Sequence, residues 1–215
     1  MIPSDGLISV DSTPARPSSA AGSLGSRPLL LFDRQFRKET FKLQPGEFAA
    51  TGLDLILTTV LGSCVAACLY DPVVRVGGMN HFLLPGRQED GCSGRYGMYA
   101  MELLINEILR RGGQRNRLLA KAFGGGAVLG SGSSLDVGSR NASFIEEYLD
   151  AEGIPLLGSD LRGQKARRVV FFPATGQALV RPVDSSRDHS DWQEEQRYAR
   201  EVGAQASQAG AVELF

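Results

Sequence analysis

The stretch "LGSCVAACLYDPVVRVGGMNHFLLP", residues 61–85, decides how the rest of the chain is read. Two apolar runs, Val65 to Tyr70 and Val74 to Asn80, flank Asp71-Pro72, a dipeptide that initiates turns, so the segment reads as an antiparallel hairpin. If the turn is centred between Pro72 and Val73, Cys64 stands opposite His81. Directly opposed residues in such a ladder carry Cβ atoms roughly 4.5–5.5 Å apart, within range of a thiol–imidazole contact. A register slip, or a bulge at Gly77-Gly78, would move the pair.

Working outward, Leu53 to Val60 forms a further buried strand ahead of the hairpin. "YGMYAMELLINEILRRGG" is the strongest helix in the chain: Met98, Met101, Leu104, Ile105 and Ile108 recur at helical spacing, and Arg110-Arg111 precede the glycine stop. "ASFIEEYLDAEG" is a second helix, with Asn141 or Ser143 as its cap and Gly153 at its end. "ARRVVFFPATGQALVRPV" closes as a hairpin around Ala174-Thr175-Gly176. Strands arriving in hairpins with separate helices favour an α+β architecture, with mixed or antiparallel sheets and flanking helices.

Composition bounds the organisation. In 215 residues, 42% are hydrophobic and 22% charged, the balance of one globular domain with a sizeable core. Residues 1–28, rich in Ser, Pro, Ala and Gly, read as a disordered arm. The folded domain is expected over 29–184, and 185–215 as a polar C-terminal tail, holding at most a loose helix over Gln193 to Val202. Lys plus Arg number 23 against 24 for Asp plus Glu, so no global field draws the chain to nucleic acid. No segment has the length to insert in a membrane, and the N-terminus lacks a basic start and apolar run, which points to a cytoplasmic protein. The cysteines, Cys64, Cys68 and Cys92, are expected to be reduced thiols.

A free thiol is only a few per cent ionised at neutral pH, and an imidazolium neighbour depresses its pKa. Of the two histidines, His189 lies in the polar tail, so a core couple must use His81. Cys64 follows Gly62-Ser63, where small residues leave backbone N–H groups accessible as an oxyanion pocket; Cys68, inside "VAACLY", reads as packing. The competing reading is structural, because free cysteines are commonly buried and a lone histidine beside a strand is commonly a satisfied core residue. Cys64, Cys68 and His81 do not match the usual zinc spacings, so neither metal nor cofactor is implied. "KAFGGGAVLGSGSSLDVGSRN" lacks the phosphate-loop ending and reads as a permissive loop. Arg167 and Arg168 read as a solvated strand end.

The segments "TTVLGSCVAACLYDPVVRVGGMNHFLLP", "GRYGMYAMELLINEILRRG", "LLAKAFGGGAVL", "DVGSRNASFIEEYL" and "IPLLGSDLRGQKARRVVFFPATGQALVR", spanning about residues 40–183, resemble the chemoreceptor glutamine deamidases called CheD. The resemblance implies a fold similar to the cytotoxic necrotizing factor toxins, and papain-like thiol chemistry with Cys64 as nucleophile and His81 as its base. It places the third residue, a threonine six positions before the cysteine, on Thr58, expected to orient His81. Gly62, Ser63 and Asn80 flank the couple as candidate oxyanion or positioning residues, and the glycines 124–126 as a groove lining. Asn141 and Arg140 match a family segment with no derivable role. The implied partners are the cytoplasmic region of chemoreceptors and, in some members, a chemotaxis phosphatase; activity on receptor methyl esters is also a family trait. A non-catalytic module that binds receptor or phosphatase is the alternative.

Overall fold

A computed structural model of the chain describes residues 29–84, 92–128, 134–183 and 188–209. The expectation for residues 1–28 lies outside them. In chain order the strands are β1 (Leu29–Asp33), β2 (Lys38–Lys42), β3 (Phe48–Thr51), β4 (Ile56–Leu61), β5 (Val65–Asp71), β6 (Val76–Asn80), β7 (Leu119–Gly124), β8 (Leu156–Leu161), β9 (Arg167–Phe172) and β10 (Gln177–Pro182). The helices are α1 (Cys92–Arg110), α2 (Ser134–Ala151) and α3 (His189–Ala209).

The strands form two five-stranded sheets, ordered β1-β2-β4-β9-β10 and β3-β6-β5-β7-β8. Each is mixed, with one parallel pair, β2 with β4 and β7 with β8. The α+β expectation holds. Alternation along β5 divides the core in two. Val65, Ala67 and Leu69 pack with Met101, Leu104, Ile105 and Ile108 of α1 and with Ile145 and Leu149 of α2. Cys64, Ala66 and Cys68 face the other way, into the layer between the sheets, with Leu57, Leu61, Met79, Leu83, Val169 and Phe171.

The hairpin forms, but its register is displaced. Cys68 pairs with Met79, where a turn centred between Pro72 and Val73 would oppose it to Gly77, and Val65 pairs with Phe82. The cause is Asp71: its Oδ1 accepts from the backbone N–H groups of Val73 and Val74, an Asx-type turn that carries the chain to Arg75 in the left-handed region, φ 55°. The shift is two residues, an even number, so every side chain keeps its face.

Two further differences bear on the site. α2 begins at Ser134, well before the expected cap at Asn141 or Ser143, and takes up part of the glycine-rich segment. Gly138 lies inside it because a Cβ there would stand 2.7 Å from the Gly125 carbonyl oxygen. The polar tail folds as α3, which packs against β4. Trp192, Glu195, Tyr198 and Ala199 lie on its covered side, and Gln193, Arg197, Arg200 and Glu201 are exposed, the three-to-four spacing of a helix with one packed face.

Candidate active site

The turn between β4 and β5 has its carbonyls on one side and its amides on the other. The Cys64 carbonyl accepts from Gly125 N–H at 2.8 Å, and that of Gly62 from Gly126 N–H at 2.7 Å. Gly124 makes this approach possible: at φ 105° a Cβ would sit 2.1 Å from the Cys64 oxygen. The glycines 124–126 therefore clamp the cysteine turn from behind. Asn141 adds a second clamp, donating from Nδ2 to the Ser63 carbonyl at 2.8 Å while its Oδ1 accepts from Leu84 N–H at 2.9 Å. It ties the cysteine turn to the end of the histidine segment. The only sequence signal for this was a polar residue on the buried side of a helix.

Cys64 and His81 are both fully buried. His81 shares the face of Met79 and Leu83, the same inter-sheet layer that Cys64 enters, so the two are brought to one face, diagonal to each other across the β5–β6 register. Direct opposition does not occur. Asn80 points to the other side, its Oδ1 accepting from Ala67 N–H and its amide donating to the Ala100 carbonyl. It holds the strands where they splay and does not reach the couple.

The threonine that meets His81 is Thr59, not Thr58. Thr59 Oγ1 stands 2.8 Å from His81 Nδ1 and donates to the Leu43 carbonyl at 2.8 Å. A hydroxyl has one hydrogen, so with that hydrogen on Leu43 the imidazole must donate from Nδ1–H. Nε2 then carries the lone pair, and it has no hydrogen-bond partner among the described residues. This is the tautomer a base needs. Thr58 lies on the opposite face of β4, donating to the Val169 carbonyl at 2.8 Å and receiving Arg168 Nη1 at 3.4 Å. The orienting contact expected of Thr58 falls to its neighbour, because Leu57, Thr59 and Leu61 alternate into the inter-sheet layer.

The amide side of the cysteine turn is occupied. Glu195 of α3 accepts at Oε1 from Gly62 N–H at 3.0 Å and from Cys64 N–H at 3.3 Å, with the Ser63 amide on the same side. Trp192 and Glu195 lie over Gly62, where a Cβ would meet each of them at 2.7 Å. Burial pushes the Glu195 carboxyl up, against the pull of the amides and the Cys64 thiol. Burial likewise pushes the Cys64 thiol well above its ordinary range, and the adjacent Glu195 charge adds to this. His81 is pushed down by burial to about 3. The couple is therefore a neutral thiol and a neutral imidazole. An ionised pair, expected from the sequence, is not the state of this closed arrangement.

The N-terminal part of α3 is fastened by charge. Lys42 pairs with Asp191 at 2.6 Å and Glu194 at 3.2 Å, Arg168 with Asp188 at 2.6 Å and with Asp191, and Arg181 with Asp188 at 2.7 Å. Arg167 is buried and paired with Asp160 at 2.5 Å. Neither Arg167 nor Arg168 is a solvated strand end. The sequence reading missed Glu195 and the cations that hold its helix, although the spacing of Trp192, Glu195 and Tyr198 at three residues was available as a signal.

The class that the fold and site define is an α+β protein with a cysteine and a histidine buried on one face, beside a turn whose amides converge. The family model described as CheD chemotactic sensory transduction matches residues 83–182. The chain is 48% identical over 189 residues to a protein of Burkholderia thailandensis named probable chemoreceptor glutamine deamidase CheD 2, covering 86% of this chain and 97% of that one. It is 49% identical over 193 residues to the probable chemoreceptor glutamine deamidase CheD of Cupriavidus metallidurans, 86% and 88% covered, and 51% identical over 172 residues to that of Cupriavidus pinatubonensis, 77% and 79% covered. The chain belongs to the CheD family.

Proposed function

We propose that the protein hydrolyses the side-chain amide of specific glutamines on the cytoplasmic region of chemoreceptors, with Cys64 as nucleophile and His81 as general base and acid. The names of its relatives support the reaction, and one observation supports the assignment of roles: the amides of Gly62 and Cys64 converge on a carboxylate oxygen beside the thiol, while His81 Nε2 stands with a free lone pair. No helix among the described residues is long and apolar enough to cross a membrane, so the receptor supplies the membrane anchorage in this reading.

When a carboxamide replaces the Glu195 carboxylate, its oxygen takes the two amide hydrogen bonds. His81 Nε2 accepts the thiol proton as sulfur bonds to the amide carbon, and the negative charge that develops on oxygen is held by the backbone N–H groups. The imidazolium returns the proton to nitrogen, the C–N bond breaks and ammonia leaves a thioester. Water, deprotonated by the neutral His81, attacks the thioester; the C–S bond breaks and the proton returns to sulfur, leaving glutamate. Thr59 holds the imidazole in the required tautomer throughout. Replacing a neutral amide by a carboxylate on a receptor helix changes its charge and shifts its signalling balance.

The test is peptide mass spectrometry of receptor cytoplasmic fragments incubated with the protein. Amide-to-acid conversion that disappears in Cys64→Ala is expected. No ammonia from any receptor, together with receptor or phosphatase capture unchanged by Cys64→Ser, would replace this reading with that of a binding module.

A further inference from the structure

Glu195 is an unusual residue for a helix whose task is to cover a sheet. A buried carboxylate costs several kcal/mol unless it is paired, and among the described residues no cation pairs with this one. Its carboxylate is held by the backbone amides of the cysteine turn and by the Cys64 thiol, and its Oε2 meets no N–H or O–H donor. A leucine would pack there at lower cost. The atoms it meets are those that would hold the oxygen of a reacting amide, and a glutamate side chain is what hydrolysis of a glutamine leaves.

We propose that α3 is the chain's own occupant of its substrate site, with Glu195 in the place of the product carboxylate, and that the Lys42, Arg168 and Arg181 face is the docking surface that α3 shares with an acidic helix of the substrate. The proposal rests on the deamidase reading above and specifies how its substrate is presented. The buried face of α3 describes that substrate: acidic residues in the first turns, which meet the three cations, then the reacting side chain one turn further on, four residues after Asp191 and three after Trp192. Trp192 closes over Gly62, and Tyr198 reaches Tyr96 of α1 with the two hydroxyl oxygens 3.5 Å apart. The open concavity of about 520 Å3 lined by Arg162, Lys165, Arg167 and Arg181 includes neither Cys64 nor His81. A second, smaller concavity is lined by His81 but not by Cys64; access to the amide side of the Cys64 turn, which Glu195 fills, requires α3 to leave.

Glu195→Gln in the full chain puts a carboxamide into the amide cradle beside the thiol and makes the chain a substrate for itself. Peptide mass spectrometry is expected to find position 195 converted to the acid, or joined to Cys64 as a thioester with loss of ammonia, and the amide unaltered when Cys64→Ala is added. In parallel, Asp191→Lys and Glu195→Ala should each raise the rate of Cys64 alkylation by iodoacetamide at least roughly tenfold, read on the Cys64 peptide so that Cys68 and Cys92 do not contribute. A synthetic peptide of residues 188–209 should slow the Glu195→Ala variant on receptor fragments. An unaltered amide at position 195 and unchanged alkylation rates, in a preparation whose wild type converts receptor glutamines, overturn the proposal and leave the deamidase reading standing. A wild type, an Asp191→Lys and a Glu195→Ala variant all inert toward receptor fragments overturn the deamidase reading on which the proposal rests.

Discussion

Thr59 Oγ1 lies 2.8 Å from His81 Nδ1, while the adjacent Thr58 hydroxyl, on the other face of β4, donates to the Val169 carbonyl. The two threonines divide what the family resemblance assigns to one. Thr59→Val is expected to lower kcat/KM by roughly tenfold to a hundredfold, because a free imidazole spends part of its time as the wrong tautomer or turned away. Thr58→Val should cost about 1 kcal/mol of stability, one buried hydrogen bond, and leave kcat/KM near wild type. Steady-state kinetics on receptor fragments and thermal unfolding of both variants separate the two roles; the reverse pattern restores Thr58.

The resting thiol is neutral, and its pH profile follows. Burial and the Glu195 charge raise the Cys64 pKa, so the thiolate appears only as pH climbs past the ordinary thiol range. Alkylation of wild-type Cys64 should stay slow through neutral pH and rise late. Glu195→Ala removes the charge and should move the rise toward lower pH. His81, already held neutral down to about pH 3, contributes no inflection between pH 5 and 8 while α3 is docked. An inflection near the ordinary imidazole value in the wild type would contradict the closed arrangement.

Asn141 satisfies two backbone groups on separate segments, Ser63 C=O and Leu84 N–H. Asn141→Leu strands both in the core and should destabilise by roughly 2–4 kcal/mol, with activity lost beyond what unfolding explains, because the cysteine turn and the histidine segment lose their tie. Asn141→Asp keeps the acceptor for Leu84 and should lie between. Equal activity per folded molecule in all three proteins would reduce Asn141 to packing.

Far from the couple, Asp71 contributes to the acid limb of stability, alongside other carboxylates held low by cations. Although burial opposes ionisation, Arg117 and the amides of Gln114, Val73 and Val74 hold its carboxyl below the ordinary range. A depressed folded pKa contributes stability that is present above the unfolded value, about 4, and is lost as pH falls through the folded one. Asp71→Asn should flatten that loss and cost roughly 3 kcal/mol at neutral pH, measured by denaturant titration from pH 7 down to pH 3. An unchanged acid limb would assign the loss to other carboxylates.

Alternation and turn signals made the hairpin, α1 and the shared face of Cys64 and His81 legible from the sequence, because burial on one face imposes a period that the residues display; the direct opposition of the two was not borne out. Register was less legible: Asp71-Pro72 marks a turn, but the Asx contact that moves its centre depends on side-chain geometry. In β4 every residue from Ile56 to Leu61 is buried, so apolar character alone did not separate the face of Thr58 from that of Thr59. Leu57 and Leu61 flanking Thr59 at two-residue spacing were the available clue. The docking of α3, of which only a loose helix over Gln193 to Val202 was expected, escaped for a different reason. Its inward face is closed by charge and by one carboxylate, and polar residues read as solvated until their partners, Lys42, Arg168 and Arg181, are known to lie opposite.

Because the helix bearing Glu195 is tethered to the body it covers, its occupancy on the present proposal is unimolecular, insensitive to dilution and to how many copies a cell makes. Basal turnover would then be fixed by one opening equilibrium, and a rival segment gains ground only where many are presented side by side. The protein would be born silent and need no second molecule to keep it so.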